Sequence, residues 1–277
     1  MSDLSFTKTR IAPTPSGYLH IGNAASFLIT AALAKKANVK LLLRIDDLDE
    51  ERVRREYVED IFGTLRFLEI EWQEGPTDYT GYEEQYSQVH RIKLYEETLQ
   101  QLREEELVFA CQCSRTQLQN GSECHCREMR LSLDALHTSW RLITDEEAPL
   151  KVRTMDGFQT INLLPECMKW FVVRKKNGLP SYQLSSLTDD EYFGIDAIVR
   201  GQDLWNSTLA QQYLALKLNK NFFQDVVFCH HPLIMDANAG NKLSKSAGAN
   251  SVQHFIKAGK TREDVIKVIE ELMPGWV

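Results

Sequence analysis

The hydrophobic pattern at the start of the chain predicts a strand, a helix and a second strand. TRIAP (9–13) is strand-like and leads through the turn-forming TPSGY into IGNAASFLITAALAKKA, whose apolar positions have helical spacing and which ends in basic residues and an Asn. VKLLLRI (39–45) is a continuous apolar run, typical of a buried parallel strand. A right-handed crossover of this kind is the unit from which nucleotide-binding α/β sheets are built.

Later segments alternate between helical and strand-like patterns. Residues 50–107 are charged and helical in spacing, as in REYVEDIFGTLRFLEIEW and HRIKLYEETLQQLREEEL. Further on, KWFVVRK, DAIVRG and VVFCH are strand candidates, and NSTLAQQYLALKL predicts a helix with Asn206 or Ser207 as its cap. TREDVIKVIEELM predicts a final helix, opened by Thr261 and Asp264 in the arrangement of a capping box.

The stretch 108–170 differs from its surroundings. It contains clustered cysteines, short β-like pieces such as TINLL and few long helical patterns. We interpret it as an insertion between two halves of one sheet, formed by residues 1–107 and 171–277. The predicted fold is therefore α/β, a parallel sheet with helices on both faces, interrupted by a small metal-bearing module.

Composition and charge exclude several classes of protein. The chain has 277 residues, is 43% hydrophobic and 26% charged, and carries a net charge of -7. These values are typical of a globular protein and exclude a disordered chain. The negative charge argues against a protein that coats nucleic acid indiscriminately, although one basic face remains compatible with it. No apolar run approaches the ~20 residues of a membrane-spanning helix, and MSDLSFTKTR does not resemble a signal peptide, so we expect a cytoplasmic location.

Four of the six cysteines lie within CQCSRTQLQNGSECHC (111–126). A reducing cytoplasm disfavours disulfides, and four thiolates suit tetrahedral Zn²⁺, so the sequence favours a structural zinc site over disulfides or unligated thiols. The predicted ligands are Cys111, Cys113, Cys124 and Cys126, and His125 is an alternative ligand. The two other cysteines, Cys167 and Cys229, are interpreted as small buried apolar residues.

Two short motifs are candidates for chemistry. HIGN (20–23) stands where the first strand passes into the first helix, and a helix start offers N–H groups and a positive dipole end to phosphate. Gly22 allows a base or a phosphate to approach the backbone closely. KLSKS (242–246) lies in a polar loop, and its lysines are suited to contact triphosphate oxygens. Each motif alone is more often incidental or a solvated surface; their order along the chain makes them a pair.

These motifs and their surroundings resemble the class I aminoacyl-tRNA synthetases, in particular the glutamate-specific branch. The blocks that carry the resemblance are TRIAPTPSGYLHIGN, LLLRIDDLDEER, GLPSYQLSSLTDDEYFGIDAIVRGQDLWNST and KLSKS. The resemblance implies a Rossmann-like catalytic domain whose insertion faces the RNA acceptor. The chain ends soon after KLSKS, which resembles the short glutamyl-queuosine tRNA(Asp) synthetases, without an anticodon-binding domain.

The resemblance also implies a glutamate pocket. Arg10 and Tyr182 match the positions that hold the side-chain carboxylate of glutamate, and Arg200 matches a further contact to the amino acid. Thr14 and Asp46 match the positions that bind the α-amino group. Asp46 stands where this branch usually has Glu, so its shorter side chain must lie closer to the substrate or act through water. We interpret Asp189 and Asp190 as structural turn residues. We interpret His230 and His231 as packing residues.

The implied reaction is activation of glutamate by ATP. Its α-carboxylate attacks the α-phosphorus in line, with Mg²⁺ on the phosphates, and the resulting glutamyl-adenylate passes the glutamyl group to a hydroxyl of tRNA. Asp203 matches the position that faces the ATP ribose. The residues expected to bind ATP are completed by His20, Gly22, Asn23, Lys242, Ser244 and Lys245, of which His20, Asn23, Lys242 and Lys245 are expected to be catalytic.

The acceptor implied by the resemblance is the queuosine base of tRNA(Asp), and a monomer is expected. One alternative is the catalytic part of a conventional glutamyl-tRNA synthetase, which charges the 3′ end of its tRNA. A second alternative is a non-catalytic paralogue that binds adenylate or RNA. Intact HIGN and KLSKS argue against the second alternative, because a binder does not need a lysine that faces pyrophosphate.

Overall fold

A computed structural model of the chain describes residues 5–119, 123–144, 149–161, 163–234 and 251–276. Its strands are β1 (Lys8–Ile11), β2 (Lys40–Leu43), β3 (Val108–Cys111), β4 (Ser139–Leu142), β5 (Leu150–Thr154), β6 (Gly157–Ile161), β7 (Val172–Arg174), β8 (Ala197–Gly201) and β9 (Val227–His231). Its helices are α1 (Ile21–Ala37), α2 (Arg55–Phe67), α3 (Tyr79–Gly81), α4 (Ile92–Glu104), α5 (Arg115–Gln119), α6 (Tyr182–Tyr192), α7 (Trp205–Lys217), α8 (Val252–Lys257) and α9 (Arg262–Leu272).

The chain forms two compact units. The first contains Met1–His90, Gly194–Trp205 and Val226–Val277, and the second contains Arg91–Phe193 and Asn206–Asp225. The main apolar core of the first unit joins residues of α1, β1, β2, α2 and α9.

The first unit is built on parallel strands in the order β2, β1, β8, β9. β1 and β2 pair from Lys8↔Lys40 to Ile11↔Leu43, and β8 and β9 pair from Ala197↔Val227 to Gly201↔His231. The chain leaves β1 towards β2 on one side and returns through β8 on the other. This reversal creates a switch point at the carboxyl ends of β1 and β8, the place where ligands bind in open parallel sheets.

Helix α1 has the bounds that the hydrophobic pattern predicts. Asn38 ends it in the left-handed conformation with φ of 53°, and Lys35 and Lys36 lie in its last turn, where positive charge is stabilised by the helix dipole. Eight of its residues are buried, including Ala24 and Ala25, which lets the helix pack closely on the sheet. The predicted crossover from strand to helix to strand is confirmed.

The second unit contains an antiparallel sheet in the order β3, β4, β7 and the hairpin of β5 and β6. Arg91 and Asp189 form a bidentate ion pair there, with N···O distances of 2.8 and 3.1 Å, and the Tyr95 hydroxyl donates to the same carboxylate at 2.7 Å. The Asp189 side chain is fully buried, so this network fixes α6 against the start of α4. Asp189 therefore has the structural role expected of it.

Several local predictions need correction. Asp189 and Asp190 lie inside α6 and not in a turn. Helix α7 begins at Trp205, because a 3₁₀ turn over Gln202–Leu204 leads directly into it, and Asn206 and Ser207 therefore lie within the helix. Of the strand-like piece TINLL (160–164), Thr160 and Ile161 belong to β6, which ends at Ile161. KWFVVRK contains β7, as expected, but β7 pairs with β4 in the antiparallel sheet. The capping box of Thr261 and Asp264 is confirmed.

The fold as a whole agrees with the expected class, since helices accompany a parallel sheet in an α/β arrangement. Within the described ranges, no helix has the length and hydropathy needed to cross a membrane.

Candidate functional site

The HIGN segment forms the N-terminus of α1, directly after β1 and its turn. His20 is the cap residue: its Nδ1 accepts from the Gly22 N–H at 3.1 Å, and its own N–H donates to Asn23 Oδ1 at 3.0 Å. Because Nδ1 accepts a hydrogen bond, a neutral His20 ring carries its proton on Nε2. The ring is thus prepared to donate a hydrogen bond at the positive end of the helix dipole, which is favourable for an anion.

Gly22 has a steric reason to be glycine. A Cβ atom at this position would lie 3.0 Å from His20 Cε1 and 3.1 Å from His20 Nδ1. The absent side chain lets the imidazole fold back over the helix start and accept the Gly22 N–H. Gly22 therefore orients His20, in addition to the close ligand approach expected from the sequence.

The segment that follows KLSKS returns to the HIGN turn. Ser251 pairs with His20 in an isolated antiparallel bridge, and the Val252 N–H donates to the Leu19 carbonyl oxygen at 2.8 Å. Ser251 also caps α8, because its hydroxyl oxygen accepts from the His254 N–H at 3.1 Å. Lys242, Ser244 and Lys245 themselves lie outside the described residues.

Charged residues gather at the carboxyl ends of the parallel strands. Arg10 on β1 donates to the Val199 carbonyl of β8 at 3.3 Å, and Arg200 lies on β8 with its guanidinium 5.4 Å from the centre of the Phe228 ring. Both arginines are buried. The planar guanidinium of arginine matches the geometry of a carboxylate, so arginines at this edge are suited to bind carboxylate groups.

Asp46 is fixed by a neighbour that sequence reasoning missed. Arg44 Nε and Nη2 donate to the two carboxylate oxygens of Asp46 at 2.7 and 3.0 Å, and both side chains are buried. The shorter carboxylate is thus held beside β2 by a two-point contact. The contact could have been predicted from the spacing of Arg44 and Asp46 in RIDD, because residues two apart in an extended chain point to the same side.

The next residue, Asp47, anchors the same loop. Its carboxylate accepts from the hydroxyls of Tyr82 and Ser87 at 2.6 and 2.5 Å and from the Gln88 N–H at 2.8 Å. Burial, followed by the charge of Asp47, raises the pKa of Tyr82 far above its ordinary value. Asp47 is therefore a structural residue that holds the loop containing Asp46.

Asp203 lies in the 3₁₀ turn that follows β8. Nearby, the His230 ring stands edge-on to Trp205, with centroids 5.0 Å apart, and stacks on Phe228 at 6.0 Å. Burial lowers the pKa of His230 to about 4, and the positive charge of Arg200 acts in the same direction. His230 is therefore neutral near pH 7, in line with the packing role expected of it.

The two other predicted glutamate contacts are more exposed. Thr14 is an exposed residue whose carbonyl oxygen accepts from the Ser16 N–H at 2.9 Å. Tyr182 belongs to the second unit, where it is the first residue of α6, and its side chain is exposed.

The four clustered cysteines come together as a possible metal centre. Their sulfur atoms all lie within 4.8 Å of one another, and three of the separations are 3.6, 3.7 and 3.8 Å. Tetrahedral zinc with Zn–S bonds of ~2.3 Å places its sulfurs about 3.8 Å apart. A disulfide needs an S–S distance of ~2.05 Å, and all six cysteines, which lie in described ranges, are thiols. The ligand set thus fits one metal ion.

The surroundings of the cysteine cluster favour the deprotonated, thiolate form of at least one cysteine. Burial acts to raise the pKa of the Cys126 thiol, but the Gln112 N–H and hydrogen bonds from Cys113 and Cys111 outweigh it and lower that pKa to about 7. Burial raises the pKa of Cys113 to about 12, with its sulfur neighbours adding to the rise. Four thiols this close resist losing all their protons unless a cation offsets the charge.

His125 and the two remaining cysteines behave differently from this cluster. The His125 ring is exposed and lies 3.8 and 3.6 Å from the carboxylates of Glu123 and Glu128. It is not among the cluster's ligand atoms in the described part of the chain. Cys167 is exposed and Cys229 is half-buried, so the prediction that both are buried is wrong. The Cys167 sulfur accepts from the Asn206 amide at 3.3 Å.

Comparison with known proteins gives a match over nearly all of the chain. The family described as tRNA synthetases class I (E and Q), catalytic domain, matches residues 7–274. A "Glutamate--tRNA ligase 2" of Caldicellulosiruptor saccharolyticus is 31% identical over 97% of this chain and 58% of its own length. A "Glutamyl-Q tRNA(Asp) synthetase" of Symbiobacterium thermophilum is 32% identical over 93% of this chain and 83% of its own length.

Solved structures agree on the fold. The crystal structure of a glutamate-tRNA synthetase from Elizabethkingia anophelis superimposes with a TM-score of 0.70 at 20% identity, over 87% of this chain and 53% of that one. The chain spans little more than half the length of the glutamate--tRNA ligases that it matches.

Proposed function

The chain belongs to the class I tRNA synthetase family (E and Q), as its catalytic domain, and from this premise we propose that it activates glutamate with ATP and transfers the glutamyl group to tRNA. The observation that carries the proposal is the position of His20. It caps α1, the helix that follows β1, and its Nδ1 accepts from the Gly22 N–H, so a neutral ring carries its proton on Nε2. A phosphate at this helix start would meet a hydrogen-bond donor and a positive dipole together.

Chain connectivity supports a shared triphosphate site for HIGN and KLSKS. Ser251 is paired with His20, and Lys245 precedes Ser251 by six residues. In the proposed reaction Lys245 and Lys242 face the phosphates, Ser244 contributes a hydroxyl, and Asn23 and Gly22 complete the helix start.

The glutamate site is proposed at the carboxyl ends of β1, β2 and β8. Arg10 and Arg200 bring two buried positive charges, which suits an amino acid with an anionic side chain. Asp46, oriented by Arg44, is proposed to face the α-amino group together with Thr14. Tyr182 is proposed as the hydroxyl donor to the side-chain carboxylate.

The proposed chemistry needs no protein nucleophile. The glutamate α-carboxylate forms a bond to the α-phosphorus as the bond to pyrophosphate breaks, and a hydroxyl of the RNA then displaces AMP from the glutamyl group. Mg²⁺ bound with ATP supplies further neutralisation of phosphate charge. His20 and the lysines stabilise charge on the phosphates, while Asp203 accepts from ribose hydroxyls, so catalysis rests on position and electrostatics.

The acceptor is proposed to be the queuosine base of tRNA(Asp). Support comes from two relatives named glutamyl-Q tRNA(Asp) synthetase, which are 32% and 31% identical to this chain. Identities are similar in the two groups, so charging of a tRNA 3′ end stays a second candidate. A monomer and a cytoplasmic location stay predictions.

The metal proposed for the four cysteines is Zn²⁺ in a structural role. Four sulfur ligands at tetrahedral spacing leave no position for a substrate water, unlike catalytic zinc sites with three protein ligands. The ion would hold the segment after β3 to the residues around Cys126.

Transfer of labelled glutamate tests the acceptor. The protein is incubated with ATP and labelled glutamate, together with tRNA(Asp) that contains queuosine, tRNA(Asp) that lacks it, or tRNA(Glu). We expect label only on the first RNA, and on its anticodon fragment after nuclease digestion. Label confined to the 3′ end of tRNA(Glu) would establish the conventional activity instead, and no label on any RNA would favour a non-catalytic paralogue.

A further inference from the structure

The residue before His20 is held through both sides of its backbone. The Leu19 N–H donates to Asp60 Oδ2 at 2.8 Å, and the Leu19 carbonyl accepts from the Val252 N–H at the same distance. The Leu19 side chain is buried in the main core. The turn that carries His20 is therefore positioned by two partners that are distant in sequence, one on α2 and one at the start of α8.

Helix α2 is a rigid support for this contact. Val58, Ile61 and Leu65 of α2 are completely buried in the core, so the helix cannot shift without opening that core. One turn earlier, Tyr57 packs edge-on against Tyr18, with ring centroids 5.2 Å apart. The backbone of residues 18 and 19 thus lies along one face of α2.

A carboxylate at position 60 carries an electrostatic cost. Burial raises the pKa of Asp60, and the hydrogen bond from the Leu19 N–H acts against that rise. A neutral acceptor would avoid the desolvation of charge, but a charged acceptor forms a hydrogen bond about twice as strong. The ionised Asp60 therefore binds the Leu19 N–H more strongly than a neutral acceptor would, although its desolvation lowers the stability of the folded chain.

We propose that Asp60 is a positioning residue for His20. Through Leu19 it fixes the start of α1, and with it the bridge from His20 to Ser251, which follows KLSKS in the sequence. The inference rests on the proposed function, because its consequence is the placement of ATP. It assigns Asp60 no contact with substrate. Loss of the carboxylate would displace His20 and Ser251 together, whereas the glutamate contacts on β1, β2 and β8 would keep their places.

Asp60→Leu and Asp60→Asn test the proposal, with Glu59→Gln as the matched control. Glu59 is the neighbouring carboxylate on α2, exposed and paired with Arg55 at 2.8 Å. Two quantities are measured in each protein: hydrogen exchange of the Leu19 amide, and the KM values for ATP and glutamate with kcat in glutamate-dependent exchange of pyrophosphate into ATP.

We expect Asp60→Leu to lose the protection of the Leu19 amide and to lower kcat/KM for ATP about tenfold to hundredfold, the range expected when a reacting group is displaced by ~1 Å. KM for glutamate should not change. Asp60→Asn retains an acceptor oxygen and should recover most of both losses, and Glu59→Gln should match the wild type. Asp60→Leu with wild-type Leu19 protection and wild-type kcat/KM would overturn the proposal, as would a rise in KM for glutamate equal to the rise in KM for ATP.

Failure of the proposed function has a different signature. If the wild-type protein catalyses no exchange, the proposed synthetase activity is wrong. Hydrogen exchange of the Leu19 amide and the affinity for ATP, measured by direct titration, then still decide the role of Asp60. Should Asp60→Leu fold poorly, Asp60→Asn against Glu59→Gln carries the same comparison at smaller amplitude.

Discussion

At the scale of single residues, Gly201 shows how closely the end of β8 is fitted to Asp203. A Cβ atom at position 201 would lie 2.6 Å from Asp203 Oδ1 and 3.0 Å from a methyl group of Leu233. The first contact is far shorter than van der Waals contact allows, so the Asp203 carboxylate would have to move. A residue proposed to accept from the ATP ribose would then be misplaced.

We therefore expect Gly201→Ala to raise KM for ATP about tenfold, the loss of one hydrogen bond to a charged group. Gly63→Ala is the control, because nothing lies within 4 Å of a Cβ atom at that position in α2. It should leave KM unchanged and stabilise the helix by about 0.5–1 kcal/mol. A KM for ATP that is equal in the two variants would contradict the proposed ribose contact.

Asp60 gives a second residue-scale prediction, on stability. Its pKa is raised by burial in the folded chain, so ionisation of this group costs folding stability once the pH exceeds the pKa of about 3.9 that Asp has when unfolded. Asp60→Asn should therefore melt at a higher temperature than the wild type at pH 7. The difference should shrink as the pH falls towards 4, because both proteins then carry a neutral group. A lower melting temperature at pH 7 would mean that the hydrogen bond outweighs the desolvation.

At the scale of elements, helix α1 combines a structural and a proposed chemical role in one residue. His20 caps the helix with its ring nitrogen and is also the proposed donor to phosphate. The two roles are separable, because serine is an efficient cap but has no imidazole.

His20→Ala should lower the free energy of unfolding by about 1 kcal/mol, the usual cost of a lost cap, and His20→Ser should restore most of it. Both variants should lose about 10²-fold to 10³-fold in the rate of pyrophosphate exchange, since each lacks the donor to the phosphates. Denaturant titration and exchange kinetics on the three proteins make the comparison. Recovery of exchange in His20→Ser would show that His20 acts only as a cap.

The cysteine cluster is the second element with a testable role. Purified protein should contain about one zinc ion per chain, the content of a closed four-sulfur site. Cys113→Ser should reduce that content strongly and lower the melting temperature, because structural zinc contributes directly to folding. Cys167→Ser is the control, since this exposed cysteine is not part of the cluster. Equal zinc content in the two variants, measured by atomic emission, would contradict the assigned ligands.

At the scale of the whole molecule, local sequence was sufficient for some elements and not for others. Helix α1 and the capping box at Thr261 follow from residues within a few positions of one another. The bond from Leu19 to Asp60 spans 41 residues and that from Arg91 to Asp189 spans 98, and no local pattern indicates either. The start of α7 was predicted wrongly for a local reason: Asn206 has a good cap side chain, but the 3₁₀ turn before Trp205 decides where the helix begins.

The candidate site was predictable to the extent that it consists of signature residues. Resemblance to known blocks singled out Arg10, His20 and Arg200. Arg44, which holds Asp46, and Asp60, which holds the backbone of Leu19 before His20, became apparent only from the folded chain, because their contacts depend on geometry and not on residue type. Supporting residues are therefore the part of a site that a sequence conveys least.

The proposed activation of glutamate by ATP can be measured as glutamate-dependent exchange of labelled pyrophosphate into ATP. We expect exchange with glutamate and none with glutamine or aspartate, because two buried arginines at the strand ends favour the anionic side chain and an amide or a shorter acid loses that contact. Absence of exchange with glutamate, in the presence of each tRNA in turn, would show that the chain does not activate this amino acid.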